Sequence, residues 1–146
     1  MQYAKKHHKN GAFCYTIHMG LDYCLFCDWH NLGKHKILLE NDFCYARLDD
    51  FPVSQGHIEI VPKAHITSFF ELEAEQLTKL FLLLKEAQTL IKVKHQPAGY
   101  TIGINEGEAA GRTIDHLHIH LIPRYTGDVK NPRGGIRNVI PGQGAY

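Results

Sequence analysis

His116-Leu117-His118-Ile119-His120-Leu121-Ile122-Pro123-Arg124 places three histidines at every second position, with aliphatic residues between them. Because side chains alternate along a β-strand, this spacing predicts three imidazoles on one face of a strand and aliphatic residues in the core. Imidazole acts as a base, a nucleophile or a metal ligand near neutral pH. The stretch therefore indicates a chemical site, although a strand with a solvated histidine face would show the same alternation.

The composition favours one globular domain without a nucleic-acid or membrane partner. A chain of 146 residues that is 44% hydrophobic can bury a single core. Sixteen basic and fifteen acidic residues give a formal charge of +1, which lacks the basic excess that nucleic-acid binding uses. The longest apolar run, over 80–84, is too short to span a membrane, and no signal-peptide core lies within 1–30. We therefore expect a cytoplasmic protein.

Hydrophobic periodicity predicts the other elements. Strands are predicted over 37–39, 43–48, 57–61 and 100–105, in addition to the histidine strand, and a long helix over 73–94. The apolar face of that helix is predicted to contain Leu77, Leu80, Phe81, Leu84, Ala87, Leu90 and Ile91. The whole chain, 1–146, is predicted as one domain with an irregular arm over 1–22 and a C-terminal loop segment over 126–146.

The loop before the histidines, Asn-Glu-Gly-Glu-Ala-Ala-Gly-Arg-Thr over 105–113, combines small residues with an amide and a hydroxyl. Small residues allow backbone N–H groups to approach an anion, although the same residues also form ordinary turns. Beside a histidine strand, this loop suggests a phosphate held next to an imidazole. A neutral imidazole can attack phosphorus and form a covalent intermediate, and His118 is the central histidine.

The histidine stretch resembles the His-φ-His-φ-His-φ-φ signature of the histidine triad family of nucleotide hydrolases and transferases. Segments 48–49, 56–65, 105–107 and 110–113 resemble further family segments in the same order. The resemblance covers roughly residues 24 to 125, and a series of motifs in order is more specific than any one of them.

The resemblance implies an α+β fold, an antiparallel sheet of about five strands with one long helix, in a homodimer. It implies that His118 is the nucleophile and that His57 and His120 complete the catalytic group. A purine nucleotide, with adenine favoured, would be bound by Asp49, Asn105, Gly111, Arg112, Thr113, His118 and His120. Asp49 would accept hydrogen bonds from the ribose hydroxyls, although a carboxylate at the end of a strand is also common in turns.

The Cys-Leu-Phe-Cys segment at 24–27 resembles the zinc-bearing branch of the family. That branch implies that Cys24, Cys27, His65 and His116 hold one structural Zn²⁺. Two thiolates and two imidazoles make a closed tetrahedral set, as structural zinc requires. The alternative is two cysteines without a metal and two histidines that are simply hydrogen-bonded.

Some residues depart from the family pattern or lie outside it. Arg112 stands where many relatives carry glutamine and would add a cation near the phosphates. Asp115 either orients an imidazole or faces water. Arg133 or Arg137 either reaches the distal phosphates of an extended substrate or belongs to a tail that packs on the partner subunit. The base pocket is expected to be apolar and built from the first strands, with Phe43 and Leu48 among its lining residues, although core packing explains these two residues equally well.

Four functions remain open at this point. The resemblance favours a hydrolase that cleaves at the α-phosphate of a dinucleoside polyphosphate or a nucleotidyl conjugate and releases a nucleoside monophosphate. A phosphorylase or transferase would use the same intermediate with phosphate as the acceptor, and a nucleotide-binding regulator would use the same site without turnover. A cupin-like metalloenzyme would need a glutamate shortly after the His-x-His pair and a further histidine downstream. It is disfavoured, because Asp128 is the one acidic residue after His120 and no histidine follows it.

Overall fold

The computed structural model describes residues 24–31 and 36–144. Within these residues a five-stranded antiparallel sheet, in the order β1-β2-β3-β5-β4, is backed by one 22-residue helix, α1. The strands are β1 Ile37–Glu40, β2 Cys44–Leu48, β3 Ile58–Pro62, β4 Gly99–Gly103 and β5 Ile119–Arg124; α1 is Ala74–His95. The prediction of an α+β fold with about five strands and one long helix is therefore confirmed.

The two faces of the sheet differ in chemistry. On one face, Ala46, Ile60 and Leu121 are fully buried and belong to the core that packs against α1. On the opposite face, Arg47 and Glu59 lie directly across from each other in the β2–β3 ladder. Because alternate residues point to opposite faces, each central strand contributes both to the core and to the polar face.

The regular strand at the histidines is shorter than predicted. β5 begins at Ile119, so His116 and His118 precede it rather than lying within it. The cause is Pro62, at the end of β3, since proline has no backbone N–H that could donate to the residues before β5. The carbonyl of Pro62 bonds instead to the His116 ring, and the Leu117 N–H donates to the carbonyl of Ile66. The alternation nevertheless continues, because Leu117 is buried in the core.

The helix α1 begins and ends within two residues of its prediction. The side chain of Gln76 accepts a hydrogen bond from the Glu73 N–H at the N-terminus, and Gln96 ends the helix with a positive φ of 49°. The predicted apolar face is partly wrong. Leu83 is buried although it was not included, whereas Phe81 and Leu90 are 52% and 38% exposed.

The predicted N-terminal arm over 1–22 lies outside the described residues. In the C-terminal segment a short 3-10 helix, Gly135–Val139, packs on β4. No helix in the described part of the chain is long and apolar enough to cross a membrane. The expectations of one domain over 1–146 and of a cytoplasmic location stay predictions.

Candidate active site and metal centre

His118 is buried immediately before β5, with 6% of its surface exposed. Its Nδ1 lies 2.8 Å from the backbone carbonyl oxygen of His116. A carbonyl oxygen only accepts hydrogen bonds, so Nδ1 carries the proton. The other ring nitrogen, Nε2, therefore holds the free lone pair whenever the imidazole is neutral. The hydrogen bond to the backbone thus fixes the tautomer in which Nε2 of His118 can act as a nucleophile.

His57 and His120 form a hydrogen-bonded pair beside His118. The Nε2 of His57 lies 3.0 Å from the Nδ1 of His120, and the rings of His120 and His118 are 5.0 Å apart. Asp49, directly after β2, lies behind the pair, with Oδ2 3.5 Å from the Nδ1 of His57 and 3.9 Å from that of His120. The Asp49 N–H donates to the carbonyl of His57, which holds the two segments together.

Burial keeps the three imidazoles of this group neutral. Desolvation lowers the pKa of His118 and of His57 below the ordinary histidine value. Desolvation, followed by the charges of His118 and His57, lowers the pKa of His120 to about 4. At neutral pH the site therefore offers uncharged imidazoles, which suits a nitrogen nucleophile and N–H donors.

The loop predicted to hold phosphate lies next to this group, but its hydrogen bonds go elsewhere. Gly111 adopts a positive φ of 91° after a single 3-10 turn, and the Gly111 and Thr113 positions are exposed. Arg112 pairs with Asp115 at 2.9 Å and also donates to the carbonyl of Thr67. Asp115 therefore partners Arg112 here. Asn105 is half-buried two residues after β4, and no hydrogen bond within the described residues joins it to the histidines.

The four predicted metal ligands Cys24, Cys27, His65 and His116 come together, with their ligand atoms within 4.8 Å of one another. The Sγ of Cys24 lies 3.4 Å from the Nδ1 of His116, and the Sγ of Cys27 lies 3.3 Å from the Nδ1 of His65. Tetrahedral zinc with ordinary bond lengths would hold sulfur and nitrogen ligands about 3.5 Å apart. The spacing therefore fits one zinc ion.

The surroundings of these four residues also fit a metal. The Nε2 of His116 lies 2.9 Å from the carbonyl of Pro62, so Nε2 is protonated and the lone pair of Nδ1 faces the two sulfurs. A hydrogen bond from Cys27 lowers the pKa of the Cys24 thiol to about 3. Thiolate and neutral imidazole are the forms that bind zinc.

Two charged residues of the site were missed by the sequence analysis. Arg47 and Glu59 are 1% and 7% exposed, and the Nε of Arg47 lies 3.5 Å from the Oε2 of Glu59. A carboxylate oxygen of Glu59 also lies within 4.8 Å of ring nitrogens of His118 and His120. The sequence did contain one indication of this pair, since Arg47 and Glu59 carry opposite charges and lie in predicted strands that follow each other along the chain.

The expected apolar base pocket is not built from Phe43 and Leu48. Both pack against the core on the helix side of the sheet. The face that carries the histidines instead presents Arg47 from β2. Core packing, the alternative interpretation of these two residues, is therefore what the structure shows.

The comparisons with known proteins identify the family of the chain. The HIT domain family matches residues 33–127. The chain belongs to the HIT family. It is 36% identical over 104 residues to an uncharacterized 16.1 kDa HIT-like protein of Mycoplasma pneumoniae, which covers 70% of this chain and 72% of that protein. A solved HIT family protein from Bacillus anthracis aligns with a TM-score of 0.67 and 34% identity over 73% of this chain and 77% of that one.

Other HIT relatives have names that indicate chemistry or a metal. A bis(5'-adenosyl)-triphosphatase of Dictyostelium discoideum is 30% identical over 100 residues, 68% of this chain and 67% of that protein. An AP-4-A phosphorylase of Mycobacterium tuberculosis is 30% identical over 93 residues, 63% of this chain and 48% of that protein. A zinc-bound histidine triad protein from Mycobacterium smegmatis aligns with a TM-score of 0.64 and 26% identity over 74% of this chain and 79% of that one.

Proposed function

We propose that this HIT protein is a hydrolase that cleaves at the α-phosphate of a dinucleoside polyphosphate or a related nucleotidyl conjugate and releases a nucleoside monophosphate. The observation that carries this proposal is the arrangement of His118. Its Nδ1 proton is held by a backbone carbonyl, its pKa is lowered by burial, and its Nε2 lone pair is free to attack. The family's named hydrolases and phosphorylases support the reaction class.

The reaction takes place in two displacements. Nε2 of His118 forms a bond to the α-phosphorus while the bond to the leaving phosphate oxygen breaks, and the leaving group takes that electron pair. Water then attacks the same phosphorus, the P–N bond breaks, and its electron pair returns to Nε2. The proton lost by water goes to solvent, and His118 is again neutral with Nδ1 protonated.

The other predicted residues bind the nucleotide in this proposal. The Nδ1 of His57 accepts from the Val53 N–H, so the Nε2 of neutral His57 donates to the Nδ1 of His120 and holds that ring in place. His120 then donates its Nε2–H to the phosphate oxygens, and because burial keeps the two rings neutral they act as dipoles rather than as cations. Asp49 accepts from the ribose hydroxyls. Asn105, Gly111, Arg112 and Thr113 contact the phosphates from the loop. The relatives whose names contain adenosine compounds support an adenine nucleotide as the first probe.

We also propose that Cys24, Cys27, His65 and His116 hold a structural Zn²⁺. The spacing and protonation of these ligands support it, as does the zinc-bound relative. The ion would tie the Cys24–Cys27 segment to the residues before β5. All four ligands come from the protein, so the ion braces the site and leaves no open position for substrate.

The test is product analysis of wild type and His118→Ala with diadenosine tetraphosphate, diadenosine triphosphate and adenosine phosphoramidate, each with and without inorganic phosphate. We expect AMP from wild type without added phosphate and at least about a thousandfold slower turnover in the variant, since the nucleophile is lost. His8→Ala, a histidine that lies outside all of the motif segments, is the histidine control and should retain wild-type turnover. Trapping of a labelled nucleotide on wild type, but not on His118→Ala, would identify the intermediate.

The other outcomes separate the alternatives. ADP that forms only when phosphate is added would make the protein a phosphorylase. AMP binding without turnover of any substrate would make it a nucleotide-binding module. Undiminished turnover in His118→Ala would contradict the proposed nucleophile.

A homodimer is proposed from the edge strand β4 and from exposed apolar residues on β4 and on α1. β4 is an edge strand, and Ile102 on it is 48% exposed. On α1, Phe81 and Leu82 are 52% and 55% exposed. A strand that ends the sheet within the described residues, together with exposed apolar side chains, favours pairing with a second copy. Sedimentation should give twice the chain mass for wild type and the monomer mass for Phe81→Lys/Ile102→Lys; a monomeric wild type would contradict the proposal.

A further inference from the structure

The buried Arg47 side chain has one donor that its surroundings do not satisfy. Its Nη2 bonds to Asp50 at 2.5 Å, and its Nε donates to the carbonyl of Leu48 at 3.1 Å. Its Nη1 is buried and has no hydrogen-bond partner within the described residues. Buried donors are nearly always paired, because an unpaired one loses its hydration without compensation. A ligand acceptor would satisfy this nitrogen.

The position of Arg47 relative to the proposed ribose and phosphate contacts indicates which part of a ligand this is. Arg47 precedes Asp49 by two residues, which corresponds to about 6.6 Å along a strand. The Cζ of Arg47 lies 5.5 Å from the centre of the Phe26 ring, and that ring lies 5.2 Å from the ring of His118. A nucleotide with phosphorus at His118 and ribose at Asp49 therefore has its base within reach of Arg47.

Glu59 supplies an acceptor next to the unsatisfied donor. It pairs with Arg47 across β2 and β3 and with His120 across β3 and β5. Burial, followed by the charge of Asp49, raises the pKa of Glu59 to about 7, so above that pH it is a carboxylate in a desolvated setting. Replacing a buried ion pair by apolar residues of similar volume often leaves protein stability unchanged. The stability of the fold therefore does not explain why Arg47 and Glu59 are charged.

We propose that Arg47 and Glu59 read the base of the bound nucleotide, with Arg47 Nη1 donating to an acceptor on the edge of the base and Glu59 accepting from the neighbouring N–H group. This inference rests on the proposed function for the placement of the nucleotide. Adenine presents N1 beside its 6-amino group, and guanine presents O6 beside N1–H, so both purines carry the required edge. Unsubstituted purine has the acceptor but lacks the N–H group, and it separates base reading from simple stacking.

The test compares AMP, GMP and purine riboside 5'-monophosphate by calorimetry at pH 8, where Glu59 is ionised. Wild type should bind AMP or GMP at least tenfold more tightly than the unsubstituted nucleotide, and the tighter of the two identifies the natural base. Arg47→Met/Glu59→Leu, which removes both charges together, should reduce this discrimination below threefold. Glu59→Gln serves as a second variant that keeps the shape and should also weaken discrimination.

Lys36→Ala is the matched control, because Lys36 pairs with Asp50 at the exposed end of the same charge network at 2.6 Å. It should discriminate like wild type. Discrimination below threefold in wild type, or unchanged in the double variant, would overturn the base-reading role. The same titrations on His118→Ala keep the two proposals apart, since a base preference that is retained without turnover supports both. If wild type turned over the phosphoramidates of all three nucleotides at one rate, base reading alone would be overturned.

Discussion

The two faces of the sheet are both buried at β3 and opposite in chemistry, and the contrast is clearest along four consecutive residues. Ile58 and Ile60 are fully buried under α1, while His57 and Glu59, between and before them, are 3% and 7% exposed on the other face. One strand thus contributes to the core and to the candidate active site with alternate side chains.

The difference shows that burial has opposite consequences on the two faces. On the helix face it removes apolar surface from water and stabilises the fold. On the site face it desolvates ionisable groups, which lowers the pKa of His57 and raises that of Glu59. The core therefore supplies the stability that allows the site face to hold neutral imidazoles and a buried ion pair.

Removal of the proposed zinc should give the largest change in the free energy of unfolding. A large loss would show that the metal, and not only the apolar core, stabilises the face of the sheet that carries the site. Cys24→Ala/Cys27→Ala removes both thiolates and with them the binding free energy. Zinc at a thousand times its Kd contributes about 4 kcal/mol. We expect one zinc per wild-type chain by elemental analysis, none in the variant, and a loss of this order in the free energy of unfolding.

Cys44→Ala is the control for that experiment, since Cys44 is a buried thiol in the core and not in the metal cluster. It should retain the full zinc content. A wild type purified without zinc that neither binds added zinc nor gains stability from it would contradict the metal proposal and leave the four ligands as a hydrogen-bonded cluster.

Adjacent residues on β3 provide the next test of the comparison. Ile60→Ala should reduce the free energy of unfolding by about 2–5 kcal/mol, because it leaves a cavity in the core under α1. Arg47→Met/Glu59→Leu, on the opposite face, should leave it unchanged or increase it. Urea unfolding of both variants, with zinc present throughout, measures the difference. A double variant as unstable as Ile60→Ala would mean that the buried ion pair is structural.

The alternation over 116–121 was sufficient to predict the two faces at β5, because period two is independent of where the regular ladder begins. The start of β5 was not predictable in the same way. It depends on Pro62 in another strand, whose missing N–H ends the ladder before Leu117. The helix was predicted well in extent, but the edges of its apolar stripe were not, as Phe81 and Leu83 show.

The candidate site was predicted in outline. The metal ligands and the group of His57, His118 and His120 followed from a family resemblance, and the structure brings each set together, although their roles stay predictions. Arg47 and Glu59 were missed because a charged residue in a strand is normally expected to face water. Their pairing required the register of β2 against β3, which hydrophobic patterning does not determine.

The smallest effect that we predict concerns His120, whose protonation reports how strongly the site face is desolvated. Its pKa of about 4 lies below the ordinary value, so the folded protein holds it neutral where the unfolded chain would be protonated. The stability that this contributes is fully present above about pH 6.5 and is lost as the pH falls through the folded value. An NMR titration should therefore show the His120 ring still mostly neutral at pH 5, where an ordinary histidine is almost fully protonated.

His57→Gln refines this prediction by separating the causes of the shift. Burial is the largest cause and the charges of His118 and His57 follow, so the variant should raise the pKa of His120 only partly toward the ordinary histidine value. Full recovery would assign the shift to the His57 charge instead of desolvation. A wild-type His120 that titrates near the ordinary value would mean that water reaches this face freely, and the contrast between the two faces would then be one of residue type alone.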